Sequence, residues 1–249
     1  MASWEFAASE PIDAQIRIPD GSITVDAVPT QTVTVEIEPS HRGLGSGDPL
    51  SVIRVEYEDG RLLIVDQGRS GLLKGRSFRF DVSVRLPEGS VCRVDTAAAD
   101  VRCTGGFGAL KARTASGDVI AGRVLGNAEV STASGDVQLD TAGTAWVKSV
   151  SGDIGIGAAE GDASCESVSG DVRIRQVSSG LIDVKTTSGD IFVGVVPGIC
   201  LEFDLATLSG DASSELDDSE PGDEATASVT CHSVSGDILV RRAARAQAG

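Results

Sequence analysis

The sequence predicts an all-β fold: a single-chain β-solenoid, parallel β-helix-like, of about eight coils of 17–26 residues, with an irregular β-rich N-terminal region. Two observations predict it. The first is a tripeptide, Ser-Gly-Asp, that recurs at Ser116-Gly117-Asp118, Ser134-Gly135-Asp136, Ser151-Gly152-Asp153, Ser169-Gly170-Asp171, Ser188-Gly189-Asp190, Ser209-Gly210-Asp211 and Ser235-Gly236-Asp237. The Asp-to-Asp steps are 18, 17, 18, 19, 21 and 26 residues. A fixed period this short is how stacked supersecondary units announce themselves, because one coil cannot bury its apolar face alone.

The second observation is a set of columns that hold their distance from each Asp. Six residues earlier stand Ala112, Val130, Val147, Cys165, Val184, Leu205 and Cys231; eight earlier stand Leu110, Ala128, Ala145, Ala163, Ile182, Phe203 and Val229. The residues between them are mostly polar, as at Lys111, Glu129, Lys148, Glu166 and Asp183. Apolar residues two apart define a half-buried strand. After the Asp the alternation resumes through Val119, Val137, Ile154, Val172, Ile191 and Ile238, then Ala121, Leu139, Ile156, Ile174, Val193 and Val240. Each repeat is therefore strand, Ser-Gly-Asp turn, strand and return. Four residues before each Asp is a hydroxyl: Thr114, Thr132, Ser149, Ser167, Thr186, Thr207 or Ser233.

The alignment also uncovers a disguised repeat, in which Cys92, Val94, Thr96, Ala98-Ala99-Asp100, Val101 and Cys103 occupy the same columns. Eight coils at about 4.8 Å each would make a rod on the order of 35–40 Å long. Aromatics are only 4% of the chain, so the core is built from Val, Ile, Leu and Ala, as a thin coil interior requires. Three regions are expected: 1–89, β-rich irregular coils or a cap; 90–242, the Ser-Gly-Asp array; and 243–249, a short basic tail. In the first, alternating runs at 14–18, 22–28, 33–37, 52–57, 62–65 and 78–86 are separated by turn signals such as Pro19-Asp20-Gly21-Ser22. Two Gly- and Ser-rich loops, 39–50 and 66–77, and an acidic insertion at 213–228 interrupt the pattern.

The charge of −16 opposes nucleic-acid and anionic-lipid partners, and no apolar run is long enough for membrane insertion. Met1 to Phe6 lacks a basic segment followed by an apolar one, which predicts a cytoplasmic chain. Chemistry is sparse. One carboxylate per coil is a poor calcium cage, where six to eight oxygens are wanted; the Asp and Ser oxygens are expected to cap backbone N–H groups of the turn. The hydroxyl column is expected to bond within itself and to nearby backbone. The histidines are His41, in a Gly-rich loop, and His232, outward beside inward Cys231, so that pair forms no dyad. Cys92, Cys103, Cys165 and Cys231 fall in inward columns and read as buried hydrophobes, with Cys200 unassigned. The Gly-rich runs 43–48 and 71–77 lack phosphate-loop spacing. No catalytic, cofactor or metal residue is predicted, and no cofactor.

The Ser-Gly-Asp-[Val/Ile] turns, the run Val84-Arg85-Leu86-Pro87-Glu88-Gly89 and the early Pro19-Asp20-Gly21-Ser22-Ile23-Thr24-Val25 resemble a bacterial β-strand-repeat family of unknown function, labelled adhesin-like, over nearly the whole chain. The resemblance implies a β architecture and no catalytic residues. The expected function is a non-enzymatic scaffold or protein-interaction module, binding an unknown protein partner or self-associating through open solenoid ends. The alternative is a carbohydrate-binding or polysaccharide-active β-helix, a class that exposes aromatics for sugar stacking. Outward aromatics are nearly absent from the array, Trp146 and Phe192 being the candidates, which favours the first reading.

Overall fold

Alternation of burial makes the strands. In Ala163–Ser169 the side chains of Ala163, Cys165 and Ser167 are buried while those between them are not, and the same two-residue period runs through the chain. The structure is a computed structural model that describes residues 1–39, 49–68, 78–216 and 227–243. Parts of both Gly-rich loops (including His41), most of the acidic insertion and all of the basic tail but Ala243 lie outside the described residues.

The chain divides into two units, Met1–Leu125 and Gly126–Gly249. The first holds β1 (Ala2–Ala7), β2 (Asp13–Arg17), β3 (Asp20–Val28), β4 (Thr32–Pro39), β5 (Ile53–Glu58), β6 (Arg61–Asp66), β7 (Phe80–Pro87), β8 (Val91–Asp95), β9 (Ala98–Phe107) and β10 (Ala109–Ser116). A 3-10 turn, Pro49–Val52, precedes β5, and β11 (Val119–Ser134) runs from the first unit into the second. The second continues with β12 (Val137–Lys148), β13 (Ile154–Ala159), β14 (Ala163–Ser169), β15 (Val172–Val177), β16 (Gly180–Ser188), β17 (Ile191–Val195), β18 (Leu201–Ser209), β19 (Ala212–Glu215), β20 (Ala227–Ser235) and β21 (Ile238–Arg242). The fold is all-β and solenoid-like, as the period predicts.

In the second unit two parallel ladders face each other. One joins β12, β14, β16, β20 and β18, and aligns Val147, Cys165, Val184, Cys231 and Leu205. The other joins β12, β13, β15, β17, β21 and β19, and aligns Leu139, Ile156, Ile174, Val193, Val240 and Ser214. The coils do not stack in chain order. The last repeat, β20–β21, lies between the β16–β17 coil and the β18–β19 coil. The acidic insertion is shorter than the sequence suggests, because Ala212–Glu215 and Ala227–Ser228 are strand.

The first unit also places an early segment inside its stack. β2 pairs in parallel with both β6 and β8, and β3 with both β7 and β9. The N-terminal region thus begins with a regular coil, and Asp20-Gly21-Ser22 stacks on Ala98-Ala99-Asp100. Antiparallel strands then cover the β6–β7 layer: β5 on β6, β4 on β7 and β1 on β4. β1 is a strand that the alternating runs do not announce.

Candidate interaction surfaces

The Ser-Gly-Asp corner is built by close stacking. Gly152 has φ 148°, and a Cβ there would sit 2.2 Å from the Gly135 carbonyl oxygen, so only glycine fits. The Asp side chain then reaches across coils. Asp136 Oδ1 accepts the Asp153 N–H at 2.9 Å, Asp153 Oδ1 accepts Asp171 N–H at 2.8 Å, and Asp171 Oδ1 accepts Asp190 N–H at 2.8 Å. Asp190 and Asp237 extend the ladder to Asp237 and Asp211, each at 2.8 Å. In the first unit Asp100 Oδ1 accepts from Asp118 at 3.1 Å, so the disguised repeat does join. The capping expected within each turn therefore runs from coil to coil, and its product is inter-coil register. Among the described residues no group of three or more His, Cys, Asp or Glu is placed to hold a metal ion.

The hydroxyl column lies inside the same corner, buried at every layer except Thr207, which is half-buried. The Thr114, Thr132, Ser149 and Ser167 hydroxyls have no hydrogen-bond partner, and the expected bonding is met at three layers. Thr186 Oγ1 donates to the Gly170 carbonyl, Ser233 Oγ to Gly189 (both 3.3 Å) and Thr207 Oγ1 to Gly236 (3.0 Å). These bonds go to the neighbouring coil's backbone, which ties side chain and turn into one frame. Between hydroxyl and Ser stands a column that the sequence reading passed over: Val150, Val168, Leu208 and Val234, all exposed, with Leu208 at 85%. An aliphatic residue immediately before the Ser-Gly pair was the available signal.

Cys92, Cys103, Cys165 and Cys231 are buried free thiols, as the inward columns predict, and Cys200 is half-buried. Burial, with lesser contributions from the Cys231 and Asp183 charges, pushes the Cys165 thiol up to about 12; burial does the same to Cys231. Such thiols are poor nucleophiles near neutral pH. His232 points away from Cys231, its Nε2 lying 3.9 Å from Asp204 Oδ2. Trp146 and Phe192 face outward as expected, under Lys148 (4.7 Å) and Arg241 (4.8 Å) respectively.

Two surface features of the second unit stand out. On the outer face of β12, β13 and β15 a trough of about 320 Å³ is lined by Asp136 and Asp140 from the β12 coil, Asp153 from the β13 coil, and Asp171, Arg173 and Arg175 from the β15 coil. At the edge of the stack, among the described residues, β18 pairs with β20 alone and β19 with β21 alone. Phe203, in the inward column with Val229, is 44% exposed there, and all of β19 is exposed. The inward assignment of Phe203 and Leu205 thus holds for register and fails for burial, because no described strand lies over them.

Known proteins agree with this architecture. No curated protein matches the chain. A solved structure of a candidate adhesin from Bacteroides fragilis is similar over 96% of this chain and 96% of that one, at 16% identity and a TM-score of 0.58. A candidate lipid-binding protein from Parabacteroides distasonis is similar over 96% of each chain, at 13% identity and a TM-score of 0.51. At such identities the likeness is one of fold. The model of the Toastrack DUF4097 family matches residues 15–248, which bears out the resemblance read from the Ser-Gly-Asp turns. The chain belongs to the Toastrack DUF4097 family.

Proposed function

We propose that this chain is a non-enzymatic, adhesin-like β-solenoid scaffold that associates with a second copy of itself through the uncovered coil Leu201–Glu215. One observation carries the reading: among the described residues β18 has a ladder partner on one side only and exposes Phe203 where every other layer of that column is buried. A strand edge with apolar residues beside it is a template for strand addition. Antiparallel pairing of β18 with its copy about Leu205 places Phe203 opposite Thr207, Asp204 opposite Ala206 and Glu202 opposite Leu208. No two carboxylates meet across that pairing, so its charge pattern is self-compatible. Residues 217–226 suit the edge less well, since they comprise Asp217, Asp218, Glu220, Asp223 and Glu224 around Pro221, with no large apolar side chain.

Sedimentation velocity tests this. The wild-type chain is expected to shift from monomer to dimer as concentration rises, Phe203→Leu to behave alike, and Phe203→Glu to weaken the association at least tenfold. A wild-type monomer at every concentration overturns the reading. So does dimerisation that appears only when residues 217–226 are deleted, which would make that segment the occupant of the edge.

A second reading, a carbohydrate-binding β-helix, is favoured by the trough on β12, β13 and β15, where arginines and carboxylates face each other across glycines.

A further inference from the structure

The trough owes its shape to two glycines. Gly155 and Gly157 lie on β13, between Gln138 and Asp140 of β12 on one side and Arg173 and Arg175 of β15 on the other. The two walls are two coil spacings apart, about 9.6 Å. Gly157 is required by packing, since a Cβ there would fall 2.3 Å from the Asp140 carbonyl oxygen. Gly155 is different. A Cβ at that position would meet nothing closer than 3.8 Å, an ordinary contact, so the fold does not demand a glycine. Glycine inside a strand weakens it, and where the backbone does not need it the residue marks a place kept open for something that approaches closely.

The arginines make the second observation. Every other described cation of this unit is engaged: Lys148 with Glu166, Lys185 with Asp183, Arg241 over Phe192, and Arg242 with the carbonyls of Val196 and Ile199. Among the described residues Arg173 and Arg175 make no ion pair or hydrogen bond, although Asp171 stands beside them on their own wall and Asp136 and Asp140 on the opposite one. They stand two residues apart on one strand face, about 6.6 Å along the chain. Two guanidinium forks at that spacing present donors for a carboxylate, whose paired oxygens match the fork. The facing wall offers acceptors, the Asp140 carboxylate and the Gln138 amide oxygen, which suit hydroxyl donors.

From this we infer that the trough is a binding site for a carboxylated sugar, a hexuronic acid unit whose carboxylate lies against Arg173 and Arg175, with its hydroxyls towards Gln138 and Asp140 over the Gly155–Gly157 floor. The inference takes up the carbohydrate-binding reading and names its ligand class. It is independent of the β18 edge, so sedimentation and sugar binding fail separately.

Glucuronate titrated into the full chain, followed by amide chemical shifts, is the test. A shallow site for one small ring gives a Kd on the order of 1 mM, with shifts centred on Gly155 and Gly157. Arg173→Gln and Arg175→Gln, at exposed positions, each weaken binding about tenfold, and Gly155→Val abolishes it with the melting temperature unchanged. The inference is overturned if glucuronate shifts no trough amide, if glucose binds as tightly as glucuronate, or if both arginine variants bind like wild type. Tighter binding of a sulfated sugar than of glucuronate would overturn the carboxylate assignment. Should all sugars fail to bind while self-association persists, the carbohydrate reading falls and the scaffold reading stands.

Discussion

The outermost layers of the two units meet the same physical problem and treat it differently. In the first unit the parallel β6–β7 layer is followed by antiparallel strands, and Val33, Val35 and Ile37 of β4 are fully buried between β7 and β1. The strands beyond carry a stacked ring pair, Phe6 on Tyr57 with centroids 5.1 Å apart. In the second unit the outermost layer is one more parallel coil, β18–β19, whose side chains are mostly exposed. A parallel ladder has no natural last rung, because each rung leaves N–H and C=O groups for the next. The first unit ends its ladder by reversing strand direction. Among the described residues the second does not, and that difference locates the surface through which this chain is proposed to associate.

The largest expected effect breaks the comparison directly. Val35→Asp buries a carboxylate at a fully buried position between Trp4 and Val84, and should cost about 4 kcal/mol or more, leaving the first unit unfolded. Phe203→Glu introduces the same charge at a position already 44% exposed, and should cost less than about 1 kcal/mol in the monomer. Urea unfolding of dilute protein, followed by circular dichroism, compares them. Equal losses would mean that the β18 coil is covered in solution, and the contrast between the two units would disappear.

The repeat made register legible but not order. Phe203, Val229 and Ile182 share one column, so β18, β20 and β16 have the same in-and-out pattern, and any of them can pair with any other in parallel. Nothing in a period distinguishes a neighbour in space from a neighbour in sequence. One trace of the order was nevertheless present. After Asp211 the inward columns hold Ala212 and Ser214, where every interior coil of this unit has Val, Ile or Leu. A coil that covers no further layer has no need of large side chains. The trough was less legible, since Gly155 and Gly157 become a floor only once β12 and β15 are known to flank them. β1 escaped notice although Ala2, Trp4 and Phe6 alternate with Ser3 and Glu5 over a strand no shorter than β2.

A smaller effect separates interior from edge by pH. Cys165 and Cys231 sit in the covered part of the second unit, and burial raises both thiols from 9.0 to about 12. A raised folded-state value stabilises fully below the unfolded value and is lost as pH rises. The contribution of these two thiols to stability should therefore be constant below pH 9 and fall between about 9 and 12, at about 1.4 kcal/mol per pH unit for each thiol that the unfolded chain ionises first. Cys165→Ala, although less stable at neutral pH, should show a shallower alkaline decline in urea midpoint than wild type. An unchanged slope would mean that the thiol is accessible and that water reaches the interior of the stack.

The smallest effects come from the carboxylate ladder, where the two kinds of layer differ by a single hydrogen bond. Asp153 both donates its N–H to Asp136 and accepts the N–H of Asp171 through Oδ1, so Asp153→Ala removes one inter-coil bond and should cost about 1–2 kcal/mol. Asp211 donates its N–H to Asp237, but among the described residues no further coil donates to its carboxylate. Asp211→Ala keeps the donated bond and should change stability by less than about 0.5 kcal/mol. The sequence presents both as the same residue in the same tripeptide, and only the stacking order tells them apart. If Asp211→Ala in the monomer costs as much as Asp153→Ala, then Asp211 has a neighbour above it and β18–β19 is an interior coil.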